Sequence, residues 1–248
     1  MIAIRALRIR LGSKQVLDGV DLDVRTGETV VVVGPSGTGK SVLLKQILGL
    51  MEADSGSILV DGEEIVGRRE QELYRIRKKF GMLFQSSALF DSMTVGENVG
   101  LALREHTELD HAEIERRVSE RLEWVGLRRV EEMKPASLSG GMRKRVGLAR
   151  AIVMDPQFIL YDEPTTGLDP IMADVIDQLI RSLQRRMGIT SMVVTHDMKS
   201  AFKVGDRIAM LLGGKIVYTG TPDEMRSTRD PVARQFMEGL SEGPIQPV

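Results

Sequence analysis

The sequence predicts an α/β fold, a mostly parallel sheet with covering helices, and three observations carry that expectation. A β-branched run, Thr29 to Val33, passes into the glycine-rich stretch Gly34-Pro35-Ser36-Gly37-Thr38-Gly39-Lys40-Ser41 and then into the apolar-periodic segment Val42 to Leu48. From Phe158 to Thr219 strand signals return and enclose a helical pattern, the alternation that pairs strands in parallel. Between these regions, from about Ser86 to Pro156, strand signals nearly vanish, which predicts a mostly helical insert.

Taken in order, Ile2 to Leu11 alternates apolar residues with Arg5, Arg8 and Arg10, and Val16 to Val24 also alternates. Both read as half-exposed antiparallel strands. Thr29 to Val33 has the continuous apolar character of a strand buried on both faces. Ser57 to Gly62 reads as a short strand and turn, and the charged stretch Arg68 to Lys79 as a solvated helix. Within the insert, Ile114, Val118, Leu122 and Val125 recur at helical spacing, with Trp124 expected to pack beside them. Strands follow at Phe158 to Tyr161, Thr190 to Thr195, Arg207 to Leu212 and Lys215 to Thr219. The helix between the first two has Ile176, Leu179, Ile180 and Leu183 on one face and Gly188 at its close. Leu240 to Val248, with Gly243, Pro244 and Pro247, reads as an extended tail.

The totals narrow the partners. In 248 residues, 34 basic and 35 acidic side chains leave a net charge of -1, so no global field draws the chain to nucleic acid or an anionic membrane. There are no cysteines, which removes disulfides and thiolate metal sites. Arginines interrupt the first residues where a signal peptide needs a continuous apolar segment, and no run is long enough to span a bilayer. Work at a membrane would require another chain to hold this one there.

The chemistry centres on the glycine-rich stretch, which fits G-x-x-x-x-G-K-[ST] at every fixed position. Its glycines let successive backbone N–H groups turn toward phosphate oxygens, and the helix N-terminus reinforces them. Lys40 would reach the β/γ-phosphates and Ser41 would ligate Mg²⁺. A second constellation, Asp162-Glu163, ends an apolar strand, at the edge where open α/β sheets bind ligands. Strand alternation sends the two side chains in different directions, Asp162 to hold Mg²⁺ and Glu163 to orient or deprotonate the attacking water. His196 follows another apolar strand end and suits a γ-phosphate contact, whereas His106 and His111 lie in the polar insert. Gln85 ends the apolar run Met82 to Phe84 and is a candidate Mg²⁺ ligand. Ser139, followed by Gly140, Gly141 and Met142, makes a second anion-binding helix start.

Together, the phosphate loop, Gln85, Leu138 to Met142, the Asp162-Glu163 strand, Gly167-Leu168-Asp169 and His196 resemble the nucleotide-binding domain of ABC ATPases, in that family's order. The resemblance covers essentially the whole chain. It implies a P-loop NTPase (RecA-like) core with an N-terminal antiparallel β subdomain and a helical signature subdomain. The implied boundaries are an ATPase domain over 1–239, with core and β subdomain over 1–85 and 157–239, helical subdomain over 86–156, and tail over 240–248. It further implies ATP and Mg²⁺ as ligands and head-to-tail pairing of two copies, each ATP lying between one copy's phosphate loop and the other's Ser139 to Met142. Asp169 would act at that interface, and Gln85 with the neighbouring insert would meet an integral membrane permease. Two departures stand out: Met142 replaces the usual Gln, and Leu11 stands where an adenine-stacking aromatic is common, leaving Ile9 or Val16 to pack on the base.

A finer resemblance, carried by Leu73 to Lys79, Met82 to Phe90, Leu103 to Thr107 and Gln235 to Pro244, is to the ATPases of Mla-type phospholipid transporters. It implies a peripheral protein on the cytoplasmic face of the inner membrane, partnered by a permease, an MCE-domain lipid-binding protein and a small accessory cytoplasmic subunit, with a tail reaching to the partner subunit. Other cargoes remain an alternative. A soluble non-transport ABC protein would carry a coiled-coil insertion or a second cassette, and a P-loop kinase would have no use for Ser139-Gly140-Gly141.

Overall fold

The computed structural model describes residues 1–246. In chain order the elements are strands β1 (Ile2–Leu11), β2 (Lys14–Val24) and β3 (Thr29–Val33), helix α1 (Lys40–Ile47), strands β4 (Ser55–Val60) and β5 (Glu63–Glu64), helix α2 (Glu70–Arg77) and strand β6 (Phe80–Leu83). Helices α3 (Val95–His106), α4 (His111–Trp124) and α5 (Gly140–Ile152) follow, then β7 (Phe158–Asp162), α6 (Pro170–Met187), β8 (Thr190–Thr195) and α7 (Met198–Val204). The chain closes with β9 (Arg207–Leu212), β10 (Lys215–Gly220), α8 (Pro222–Ser227) and α9 (Pro231–Glu238).

Two compact units share these elements. Met1–Ile76 with the chain from Thr190 onward forms the first, and Arg77–Ile189 the second. In the first unit β2, β1, β4 and β5 make an antiparallel sheet, with the hairpin between β4 and β5 turned by Asp61 and Gly62, both at positive φ. Beside it in sequence, β3 pairs in parallel with β8 on one side and β9 on the other, and β10 adds antiparallel to β9. Val30 to Val33 are fully buried, each contributing roughly 1.5–3 kcal/mol of apolar burial. In the second unit β6 and β7 pair in parallel, backed by Phe80 stacked on Phe158 at 4.9 Å, and α3, α4 and α5 pack on one another.

Local chemistry sets the helix limits. Thr94 and Glu97 close a capping box at the start of α3, and Thr221 and Glu224 do the same for α8. Asp169 caps α6, Pro170 occupies its first turn, and Gly188, at φ 65°, ends it as the pattern requires. Trp124 lies between the guanidinium groups of Arg121 at 3.9 Å and Arg186 at 3.6 Å, a cation–π sandwich added to its packing on α4.

Three features differ from the sequence reading. The short apolar run before Gln85 is the paired strand β6, too brief for periodicity to declare it. β7 includes Asp162 but not Glu163, whose φ of 47° takes it off the strand; strand alternation therefore does not set its direction. The tail, read from sequence only as extended, is tied back to α9 as far as Ile245. Gln235, buried on α9, donates to Leu240 O at 3.2 Å and Ile245 O at 2.9 Å and accepts from Ile245 N at 2.6 Å. The final two residues of the 240–248 tail lie outside the described residues.

Candidate nucleotide site

In the first unit the phosphate loop bridges β3 and α1. Gly34 has no alternative residue: a Cβ there would stand 2.2 Å from Leu211 O. Gly39, at φ 102°, begins α1, and a Cβ on it would meet Val16 Cγ1 at 2.9 Å. Gly37 faces open space, so only its φ of 76° calls for glycine. The loop closes on its own lysine. Lys40 Nζ donates to Gly34 O at 2.8 Å and Pro35 O at 3.0 Å, and Thr38 Oγ1 donates to Pro35 O at 2.9 Å. Ser36 and Gly37 are exposed and Ser41 is half-buried at the start of the helix. Val33 is opposite Thr195 in the parallel register, which brings His196, exposed just past β8, to the same strand-end edge as the loop. Val16 packs beneath Gly39, whereas Leu11 is 41% exposed at the end of β1.

The second unit gathers the other candidates. Leu83 is opposite Tyr161, so Gln85, just past β6, and the pair formed by Asp162, the last residue of β7, and Glu163 after it lie at the same ends of the two strands. Both carboxylate residues are 8% exposed. Thr166 Oγ1 donates to Glu163 Oε2 at 3.2 Å. Gln85 is exposed, and the turn after it holds Ser87 and Ala88 at φ 63° and 47°. Ser139 caps α5, its hydroxyl accepting from Met142 N at 3.2 Å, with Gly140 and Gly141 forming the first turn. Asp169 Oδ1 accepts from Ile171 N at 2.9 Å and Met172 N at 3.0 Å, so one carboxylate oxygen serves the start of α6.

Sequence reasoning missed the cations that hold this unit together. Lys144, in α5, donates from Nζ to Gln85 O at 2.6 Å and Glu163 O at 3.1 Å. Arg150 donates to Ser87 O and Ala88 O, 2.7 Å each. Burial pushes the Lys144 ammonium below its usual pKa, against the opposing pull of the Asp162 and Glu163 carboxylates. A signal was present: Lys144 lies three residues after Gly141 and four before Leu148, on the buried face of its helix.

A glycine-rich loop between a buried parallel strand and a helix, with paired carboxylates ending another strand, defines a nucleotide-binding protein of the P-loop class. Residues 17–166 match the model of the ABC transporter family, and the chain belongs to that family. It is the ATP-hydrolysing component of such a transporter. Among curated proteins it is 45% identical over 244 residues to "Probable ribonucleotide transport ATP-binding protein mkl" of Mycobacterium leprae, covering 98% of this chain and 70% of that one. It is 40% identical over 245 residues to "Intermembrane phospholipid transport system ATP-binding protein MlaF" of Escherichia coli, covering 99% and 91%. Among solved structures, the dimeric post-hydrolysis ATP-binding cassette MJ0796 bound to ADP and Pi superposes with a TM-score of 0.82 at 33% identity, over 90% of this chain and 99% of that one. CbiO1 from Clostridium perfringens, part of the transporter complex cbiONQ, gives 0.84 at 28% identity, over 96% and 95%.

Proposed function

We propose that two copies of this chain close head to tail around two ATP molecules and, by hydrolysing them, drive an integral membrane permease that moves phospholipid or a similarly hydrophobic compound. The loop amides of Gly34 to Ser41 hold the phosphates, and Lys40 neutralises charge that develops on the transferred group. Glu163 takes the proton of the attacking water, His196 contacts the γ-phosphate, and Ser139 to Met142 of the second copy donate from the opposite side. Asp169 acts at the interface between the copies.

The groups expected to hold Mg²⁺ fit a hard cation. The Ser41 hydroxyl, the Gln85 amide and the Asp162 carboxylate are all oxygen donors, few enough to leave positions for water and phosphate. When bound, the ion neutralises phosphate charge. A cytoplasmic-face location and partnership with an MCE-domain protein and a small accessory subunit complete the reading. No helix among the described residues is long and apolar enough to cross a membrane, so attachment through a permease supplies the membrane contact.

The observation that carries the lipid reading is the end-to-end match to MlaF, which leaves little of either chain unmatched. The mkl protein, whose name specifies ribonucleotide transport, extends further beyond the matched region. Mild-detergent purification of the tagged chain from its native membranes, with mass spectrometry of bound proteins and lipids, tests it. A permease, an MCE-domain protein and phospholipid are expected to co-purify; a permease bound to a different kind of cargo-binding protein, with no lipid enrichment, overturns the lipid assignment.

A further inference from the structure

Helix α5 begins at Ser139 to Met142, and its flank is fastened to two backbone carbonyls whose residues carry proposed catalytic roles. Lys144 Nζ bridges Gln85 O and Glu163 O at 2.6 and 3.1 Å, with the side chain only 4% exposed. Nothing nearby gives slack. A Cβ on Gly81 of β6 would lie 2.0 Å from Ala151 O of α5, and one on Gly147 would lie 2.7 Å from Leu83 Cδ1. Arg150 holds the carbonyls of Ser87 and Ala88, so the turn after Gln85 is fastened at more than one point by the same helix. Glu163 itself sits at φ 47°, a backbone state that surrounding structure must enforce.

We infer that Lys144 is a positioning residue: its ammonium ties the carbonyls of Gln85 and Glu163 to one point on the signature helix, so that metal ligand and general base share a position set by α5. The inference rests on the roles proposed above for Gln85 and Glu163. The methylene stem of Lys144 could be supplied by methionine without the desolvation cost of a charge; what methionine cannot supply is donors for the two carbonyls, of which that of Glu163 is bonded in a buried setting. Movement of α5 therefore carries both residues together, linking the helix start that would meet the second copy's ATP to the hydrolytic groups of its own chain.

The test uses the full chain purified with its membrane partners, comparing Lys144→Met, Lys144→Gln and, in parallel, Glu163→Gln. Lys144→Met is expected to lower kcat about 10-fold to 100-fold, the scale of a displaced catalytic group, while ATP affinity stays within about threefold. Lys144→Gln, which keeps two N–H donors, is expected to recover part of that loss. Turnover of Lys144→Met within about threefold of the parent, or loss of ATP affinity in step with kcat, overturns the inference. Should Lys144→Met fail to fold, the Mg²⁺ activation curve of Lys144→Gln decides: a shift to higher Mg²⁺ supports the tie, and an unchanged curve with parental kcat overturns it. Parental turnover in Glu163→Gln would instead sink the underlying assignment of the base, independently of Lys144.

Discussion

Thr166 donates its hydroxyl to Glu163 Oε2 at 3.2 Å, closing a four-residue turn over a glutamate held in left-handed backbone. The turn orients the carboxylate just beyond β7. A positioned carboxylate supplies about 10²-fold to 10⁴-fold when it takes a proton in the transition state. Glu163→Gln is therefore expected to lose roughly that much turnover while still binding ATP, read by steady-state hydrolysis beside a fluorescent-nucleotide titration. Lys40→Ala, measured the same way, is expected to lose productive nucleotide binding.

The loop glycines separate two costs. At Gly34 an alanine methyl meets the Leu211 carbonyl at 2.2 Å, a backbone atom that cannot swing aside. At Gly37 the methyl meets nothing, and only the positive φ is disfavoured, by about 1–2 kcal/mol. Gly34→Ala is expected to abolish nucleotide binding and lower Tm clearly, and Gly37→Ala to retain the fold with a smaller loss; a nucleotide titration and a melting curve on each compare them.

Gln235 fastens the tail through three hydrogen bonds to Leu240 and Ile245. Gln235→Ala leaves the Ile245 amide without that acceptor, at a cost of about 1–3 kcal/mol to docking of the segment. Limited proteolysis should then clip the tail well before the domain, whereas the parent resists at the same protease level.

Glu64 supplies a pH-dependent contribution. Burial raises its pKa, but the Ser57 hydroxyl and the amides of Ile58, Val66 and Ile65 outweigh it, and the net shift is below the usual 4.5. A carboxylate whose folded pKa is depressed stabilises above its unfolded value and loses that contribution as pH falls through the folded one. Denaturant melts of parent and Glu64→Gln should differ most near neutral pH and converge as pH drops below 4.5. A gap that stays constant across that range would contradict the assignment.

Much of the site was legible locally. The phosphate loop needs residue types that can be named in order, because glycine, lysine and serine each have a distinct task at fixed spacing. The strands that lead into the phosphate loop, end at Asp162 and precede His196 were equally clear, since continuous Val, Ile, Leu and Thr runs mark burial on both faces. Strand β6 was not, because four residues give periodicity too little to register.

The sequence by itself determined the chemistry: a phosphate loop, two carboxylates after a strand and a serine-capped helix start are encoded in contiguous residues. Only the tertiary structure decided what holds them. The ammonium of Lys144 meets Gln85, 59 residues earlier, and Glu163, 19 later, and no local pattern specifies such partners. Gly34 likewise owes its necessity to Leu211, a backbone neighbour supplied by the pairing of β3 with β9. The physical reason is common to both: hydrogen bonding and close packing depend on distance in space, which the fold sets only after distant segments have paired.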